Sequence, residues 1–117
     1  MDDKVNENWE VGCACLKAGN INAAANRIYY ATFQAVLAYF RTKSSFEEPN
    51  GSIHSYITRE LNSLGGKNVN DSRNLRLLKE LRETADYQPD TPDKDELNHL
   101  LPIAEKMKTH YLNKCKQ

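Results

Sequence analysis

The segment NRIYYATFQAVLAYFRTK, residues 26–43, is the most apolar run in this chain and constrains its fold more than any other segment. Its apolar residues recur at the three- and four-residue spacing of a helix and cover almost the whole circumference. Such a helix must be surrounded by other elements, because an all-round apolar surface is unstable in water. The segment therefore predicts the central helix of a helical bundle, with Phe33, Val36 and Phe40 in the core.

Four further segments show the same helical period, and breaks rich in glycine, proline and asparagine separate them. Their apolar positions are, in chain order, Val5, Trp9, Gly12/Cys13 and Leu16; Ile53, Ile57, Leu61 and Leu64; Leu75, Leu77, Leu78, Leu81 and Ala85; and Leu97, Leu100, Leu101, Ala104, Met107 and Tyr111. No strand pattern is present. The sequence predicts an all-α protein, an up-and-down bundle of about five helices in a single domain over residues 1–117.

Local signals predict where the helices end. Gly19 is a glycine stop for the first helix, and Ser52 is an expected N-cap of the third. After a predicted turn, Asp71 or Ser72 is expected to cap the fourth helix. Pro102 lies inside the last helix and is expected to kink it or to shift its start.

Charge and cysteine content exclude some classes of function. The chain has 16 basic and 16 acidic residues, so binding of nucleic acid or an anionic membrane requires a local patch. Three cysteines, an odd number without a signal peptide, predict reduced thiols in the cytoplasm. No apolar run approaches the roughly 20 residues that span a bilayer. Glu96–His99 matches half of a di-iron motif but has no second copy, so no metal and no cofactor is expected.

The central helix also carries polar residues along one edge. Asn20, Arg27, Gln34 and Arg41 recur every seven residues, close to two helical turns, with Tyr30 beside them. A solvated edge accounts for Arg41. For Arg27 and Tyr30 two interpretations stay open, a solvated edge and a polar groove or interface.

Arg82 on the fourth helix is the most informative charged residue. On a helical wheel it falls between Leu75 and Leu78, and an unpaired charge in a packing seam is costly. Asp86, one turn later, can pair with it. The pair is either a structural lock between helices or part of a site.

Two further features of the sequence bear on nucleic-acid binding. One is a basic band that winds diagonally along the fourth helix and could contact successive phosphates on the way to Arg82. Glu80 and Glu83 would neutralise much of its charge. The other is His54, at the edge of the Ile57/Leu61 stripe, which is either a partly buried core histidine or a catalytic group. The band consists of Arg73, Arg76, Lys79 and Arg82.

Four motifs in this order resemble the HEPN superfamily, over about residues 5–113. They are NRIYYATFQAVLAYF, IHSYI, LRETADYQPD and LLPIAEKMKTHYL. The likeness is closest to a prokaryotic branch with an Asn/Ser-Arg-x-Tyr-Tyr-Ala-x-Phe helix and a later Arg-x-x-x-Asp-Tyr. The tyrosine-pair helix and RETADY together are the specific part of the pattern.

The resemblance implies a helical bundle that forms a homodimer, with the polar residues of the fourth helix near the two-fold axis. It also implies a nucleotide- or RNA-binding, toxin-like protein of a toxin–antitoxin pair, whose partner is a small nucleotidyltransferase. Active HEPN proteins are metal-independent endoribonucleases with an Arg-x4–6-His motif. Arg82 matches the arginine, but the motif's histidine is absent, and Gln34 occupies the place where the branch often has a histidine in the tyrosine helix.

The candidate site residues follow from these observations. The catalytic candidates are Arg82, Asp86, Tyr87 and His54; the candidates for contact with nucleotide or RNA are Asn26, Arg27, Tyr30 and Lys79. Asp86 could act as a base, Tyr87 is a weak acid unless tuned, and His54 replaces the missing imidazole only if the fold brings it near Arg82. The alternative function is a non-catalytic helical interaction module in which Arg82 and Asp86 are purely structural.

Overall fold

The structure, a computed structural model, describes residues 2–87 and 91–116. Within these residues the chain forms five α-helices and no strand: α1 (Asp2–Lys17), α2 (Ile21–Arg41), α3 (Ile53–Leu64), α4 (Lys67–Tyr87) and α5 (Lys94–Cys115). The predicted all-α bundle of five helices is confirmed. None of the described helices is both long and apolar enough to cross a membrane.

Helix α2 lies at the centre of the bundle and packs against each of the other four helices. Phe33, Val36 and Phe40 are buried as predicted, and four of its alanines are buried with them, Ala24, Ala25, Ala31 and Ala35. Helices α1, α4 and α5 pack directly on α2, whereas α3 packs mainly on α4. The three helices α2, α3 and α4 therefore meet along one side of the bundle.

The turn between α1 and α2 is a Schellman motif. Asn20 N–H donates to the carbonyl of Cys15 over 2.8 Å, and Gly19 N–H donates to that of Leu16 over 3.1 Å. Gly19 has a φ of 84°, which a residue without Cβ adopts without strain. The glycine stop predicted from the sequence is thus confirmed, and it turns the chain back so that α2 packs along α1.

The predicted start of α4 is wrong. The helix begins at Lys67, directly after Gly65 and Gly66, and not at Asp71 or Ser72. A tertiary contact stabilises this end of the helix, because the Tyr111 hydroxyl donates to Asp71 Oδ2 over 2.6 Å and lies 3.1 Å from Asn68 Oδ1. Ser72 is fully buried inside the helix, where its hydroxyl donates to the carbonyl of Thr58.

The other predicted helix signals can be compared directly with the structure. Ser52 caps α3, since its hydroxyl oxygen accepts from Ser55 N–H over 3.1 Å. Asp93 caps α5 by accepting from the N–H groups of Asp95 and Glu96. Pro102 lies in the interior of α5 and does not mark its start.

Candidate functional site

The candidate site begins with the aromatic rings of α2. Tyr29 and Phe33 are one turn apart and buried, and their rings stack at a centroid distance of 5.7 Å. Tyr30 is half-buried beside them, with its ring edge-on to Tyr29 at 5.3 Å. Four-residue spacing puts Tyr29 and Phe33 on the same face of the helix, which faces α3 and α4.

His54 completes this aromatic cluster from α3. The Ser52 cap starts the helix two residues earlier, so His54 lies in its first turn, where it is only 7% exposed. Its Nδ1 atom is 2.9 Å from the Tyr29 hydroxyl, and its ring lies 6.0 Å from the Phe33 ring. Burial, followed by the positive charges of Lys79, Arg76 and Arg82, lowers the pKa of His54 to about 4. The imidazole is therefore neutral at neutral pH.

Arg82 approaches the same cluster from α4. Its guanidinium carbon lies 5.3 Å from the centroid of the Tyr30 ring and 5.7 Å from that of Tyr29, within range of cation–π attraction. Its Nε donates to Asp86 Oδ2 over 3.1 Å. The Arg82 side chain remains 16% exposed, so an anion can still reach it.

Asn26 connects this arginine pair back to α2. Its Nδ2 lies 3.0 Å from Asp86 Oδ2 and 3.4 Å from Oδ1, and it donates to this carboxylate from a position 60 residues earlier in the chain. Asp86 thus accepts from both Asn26 and Arg82. The carboxylate fixes the arginine relative to α2, and with it the position of the guanidinium beside the tyrosine rings.

These side chains line an open groove between α2, α3 and α4, with a volume of about 340 Å³. We call it the tyrosine groove. Lys79 is on its wall one turn before Arg82 and pairs only loosely with Glu83, at 3.9 Å. The groove is lined by Tyr29, Tyr30, Phe33, Ser52, Ile53, His54, Lys79 and Arg82. With His54 neutral, two cationic side chains dominate its charge.

The fold brings together most of the candidate residues that the sequence singled out. His54, Arg82, Tyr30 and Lys79 line the tyrosine groove, and Asn26 and Asp86 hold Arg82 in place without lining it. For His54 to replace the missing imidazole, it has to lie near Arg82. The structure meets this condition, because both side chains line the groove.

Two candidate residues have a different standing. Arg27 is exposed and faces α1, where it donates to Asn8 Oδ1 over 2.9 Å. It does not line the tyrosine groove. Tyr87 is the last residue of α4, and its side chain lies outside the described part of the chain.

Sequence reasoning missed Tyr29 and Phe33 as residues of this groove. A phenol on the buried face of a helix needs a hydrogen-bond partner, and this requirement was the available signal. The partner is His54, and no local pattern links the two because they are 25 residues apart. Burial raises the pKa of Tyr29, with Arg82 acting in the opposite direction, so the phenol stays protonated at neutral pH.

The groove therefore presents two cations, a neutral imidazole and aromatic faces within one small volume. Arginine and lysine suit the charge of a phosphate, and exposed aromatic surface suits a nucleobase. A neutral imidazole can accept a proton.

A family model described as HEPN domain matches residues 6–114, which is nearly the whole chain. Searches of curated proteins and of solved structures find no significant match.

Proposed function

This chain belongs to the HEPN domain family, and from that premise we propose that it is the toxin-like member of a toxin–antitoxin pair and binds RNA in the tyrosine groove. Family membership by itself points to nucleotide or RNA binding. The observation that carries the proposal is the Arg82 guanidinium, which is held by Asp86 against two tyrosine rings while still partly exposed to the groove.

Phosphate recognition in this proposal depends on Arg82 and Lys79. A guanidinium that is already fixed by a carboxylate loses little conformational entropy when it binds a phosphate. Lys79 adds a second charge from the same side of α4. The half-buried ring of Tyr30 offers a surface on which a base can stack.

We further propose that the groove supports metal-independent cleavage of RNA. In this reaction the 2′-oxygen bonds to the adjacent phosphorus, the bond from phosphorus to the 5′-oxygen breaks, and His54 takes the 2′-hydroxyl proton. For this role the Nδ1–H of His54 donates to the Tyr29 oxygen, which leaves the Nε2 lone pair for the substrate. Arg82 stabilises the charge that develops on the phosphoryl oxygens, and the leaving oxygen takes a proton from solvent.

The low pKa of His54 makes the imidazole a weak base in the empty groove. A bound phosphate is negatively charged and raises the pKa of a neighbouring imidazole. Substrate binding would therefore strengthen the base at the point where it is needed. Asp86 is the alternative base, but its oxygens already accept from Arg82 and Asn26.

A second function has its own supporting observation. The bonds from Asn26 and Arg82 to Asp86 join α2 to α4, as expected if the pair is purely structural. The chain would then be a non-catalytic interaction module, and its aromatic cluster would only fill space.

One variant, Arg82→Ala, separates these two functions. The readouts are cleavage and binding of a single-stranded oligoribonucleotide, together with thermal unfolding. Arg73→Ala is the matched control, because Arg73 is an exposed arginine of the same helix that does not line the groove. If the groove binds RNA, Arg82→Ala abolishes cleavage and removes the groove's share of oligoribonucleotide binding, at a stability cost of about 1 kcal/mol. If Arg82 is structural, the variant loses about 3 kcal/mol and the folded fraction behaves towards RNA as the wild type does.

The proposed partners are a second copy of this chain and a small nucleotidyltransferase, both in the cytoplasm. Family resemblance supports both partners. Expression of the chain alone should slow cell growth, and co-expression of a small nucleotidyltransferase from the same organism should relieve the effect. Unimpaired growth under strong expression would argue against a toxin.

A further inference from the structure

A second cationic region lies at the opposite end of α4 from the tyrosine groove. Lys106, His110 and Lys114 recur every four residues on α5, so they share one face of that helix. Lys67 in the first turn of α4 faces them, with its Nζ 3.5 Å from His110 Nδ1. Two small cavities of about 220 and 210 Å³ meet at Lys67 and His110 and share both residues as lining.

The charge of this region is unbalanced. Three lysines line the two cavities, and Asp71 is the one carboxylate among the lining residues. The Tyr111 hydroxyl already donates to Asp71 over 2.6 Å. Among the described residues, none of the three lysines has a carboxylate within ion-pair distance.

The titration behaviour of His110 agrees with a local excess of positive charge. Burial lowers the pKa of His110, and the charges of Lys67 and Lys114 lower it further, while Asp71 acts in the opposite direction. Like charges held close together cost free energy, and a bound anion offsets that cost. In a chain whose net charge is zero, such a cluster is a local patch of the kind that anion binding requires.

The walls of the cavities favour one kind of anion. Leu64, which is 52% exposed, and the half-buried ring of Tyr39 line one of them beside the lysines. Apolar and aromatic surface next to lysines suits a nucleotide, whose base packs on the wall while its phosphate meets the charges. We propose that the cleft between the first turn of α4 and the second half of α5 is a second phosphate-binding site, in which Lys67, Lys106 and Lys114 hold the phosphate of a nucleotide or of an RNA strand.

This site is independent of the tyrosine groove. Lys67 and Arg82 are 15 residues apart on one helix, so they are separated by roughly 22 Å along its axis. A mononucleotide cannot reach both residues at once. The second site therefore stands even if the groove turns out not to bind RNA.

The test uses the whole chain and three probes: inorganic phosphate, AMP and a ten-nucleotide single-stranded oligoribonucleotide. Binding is read from the ring signals of His110 by NMR, at constant ionic strength, in the Arg82→Ala background, so that the groove does not contribute. We expect a saturable shift of the His110 signals. The double variant Lys67→Ala/Lys114→Ala should weaken binding at least tenfold, and the exposed Lys94→Ala at the other end of α5 should not.

The three probes also distinguish the source of the phosphate. A response to phosphate and AMP identifies a site for a free nucleotide, and a response to the oligoribonucleotide alone identifies an RNA-backbone site. For the oligoribonucleotide, the double variant should reduce the salt dependence of log K by about 1.4, since each lost contact to a single strand removes about 0.7. Absence of a saturable shift with all three probes, or equal affinity of the double variant and Lys94→Ala, would overturn the proposal.

Discussion

At the residue scale, the Asp86 carboxylate links the two motif segments of this chain. Asn26 comes from the NRIYY segment, Arg82 comes from RETADY, and both donate to Asp86. Arg82 in turn contacts the rings of Tyr29 and Tyr30. The two motifs therefore form a single polar network across the interface between α2 and α4.

This network predicts that Asn26 positions Arg82. In Asn26→Ala, Asp86 keeps only its bond to the flexible arginine, so the guanidinium becomes less fixed and oligoribonucleotide affinity should fall several-fold. The unfolding free energy should fall by about 1 kcal/mol, as for one lost hydrogen bond. Asn22→Ala, at an exposed position one turn earlier in α2, is the matched control. Equal RNA affinity of the two variants would contradict a positioning role for Asn26.

His54 predicts a specific dependence of stability on pH. Its pKa is about 4 in the folded protein and 6.5 in the unfolded chain. Between these values the unfolded state binds a proton that the folded state does not, so stability is complete above pH 6.5 and falls as the pH drops towards 4. The contribution is about 3 kcal/mol, because each pKa unit of difference between the two states corresponds to about 1.4 kcal/mol.

The measurement is chemical unfolding of the wild type and of His54→Gln at pH 7 and pH 4.5. Carboxylates titrate in both proteins, so the difference between the two proteins isolates the histidine. Wild type should lose more stability than His54→Gln over this interval. Parallel losses would show that His54 titrates normally in the folded protein.

The sequence could predict the individual residues of the site better than their contacts. The helical wheel placed Arg82 in the packing seam, and its side chain is 16% exposed. One-turn spacing identified Asp86 as its partner, and the Nε–Oδ2 bond confirms this pairing. The contacts of Asp86 with Asn26 and of Tyr29 with His54 depend on how α2 sits against α4 and α3. That packing is a tertiary property, which no local spacing encodes.

At the scale of the helices, a helix end was predictable where it depends on the backbone or side chain of a single residue. Gly19 and Ser52 act through their own backbone freedom and their own hydroxyl, and both behave as the sequence indicates. The first turn of α4 has polar residues of low helix propensity and resembles a loop. Its bonds to Tyr111 come from a helix about 40 residues away, so tertiary contact overrides propensity there.

The close approach of α1 and α2 gives a prediction of its own. Gly12 is buried against α2, and a Cβ at this position would lie 2.8 Å from Ile28 Cγ1 and 3.3 Å from the Ile28 backbone nitrogen. Gly12→Val should therefore force the helices apart and cost about 2–3 kcal/mol, a fall of about 10 °C in melting temperature. Ala14→Val introduces the same side chain on the exposed face of α1 and should cost less than 1 kcal/mol. Similar melting temperatures for the two variants would contradict this packing of α1 on α2.

At the scale of the whole molecule, the central position of α2 determines where a site can form. A helix packed on all sides leaves little room for an opening, except where a neighbour is short. Helix α3 has 12 residues, whereas α2 and α4 have 21 each. The tyrosine groove opens where α3 begins, at Ser52, Ile53 and His54. An aromatic run that makes α2 the core of the bundle thus also supplies a wall of the site.

The final prediction concerns assembly, and it starts from the exposed end of α4, beside the tyrosine groove. Family resemblance implies a homodimer with the polar end of α4 near the two-fold axis, where Asp86 is exposed. Light scattering at tens of micromolar should therefore give twice the 13.4 kDa mass of one chain. Asp86→Lys would put two added cations beside the Arg82 side chains of both copies, so it should shift the mass towards the monomer. Asp3→Lys, at an exposed position on α1, makes the same charge change away from α4 and should leave the dimer intact. A wild-type mass of 13.4 kDa at these concentrations would contradict the homodimer, and the exposed end of α4 would then face solvent rather than a second copy.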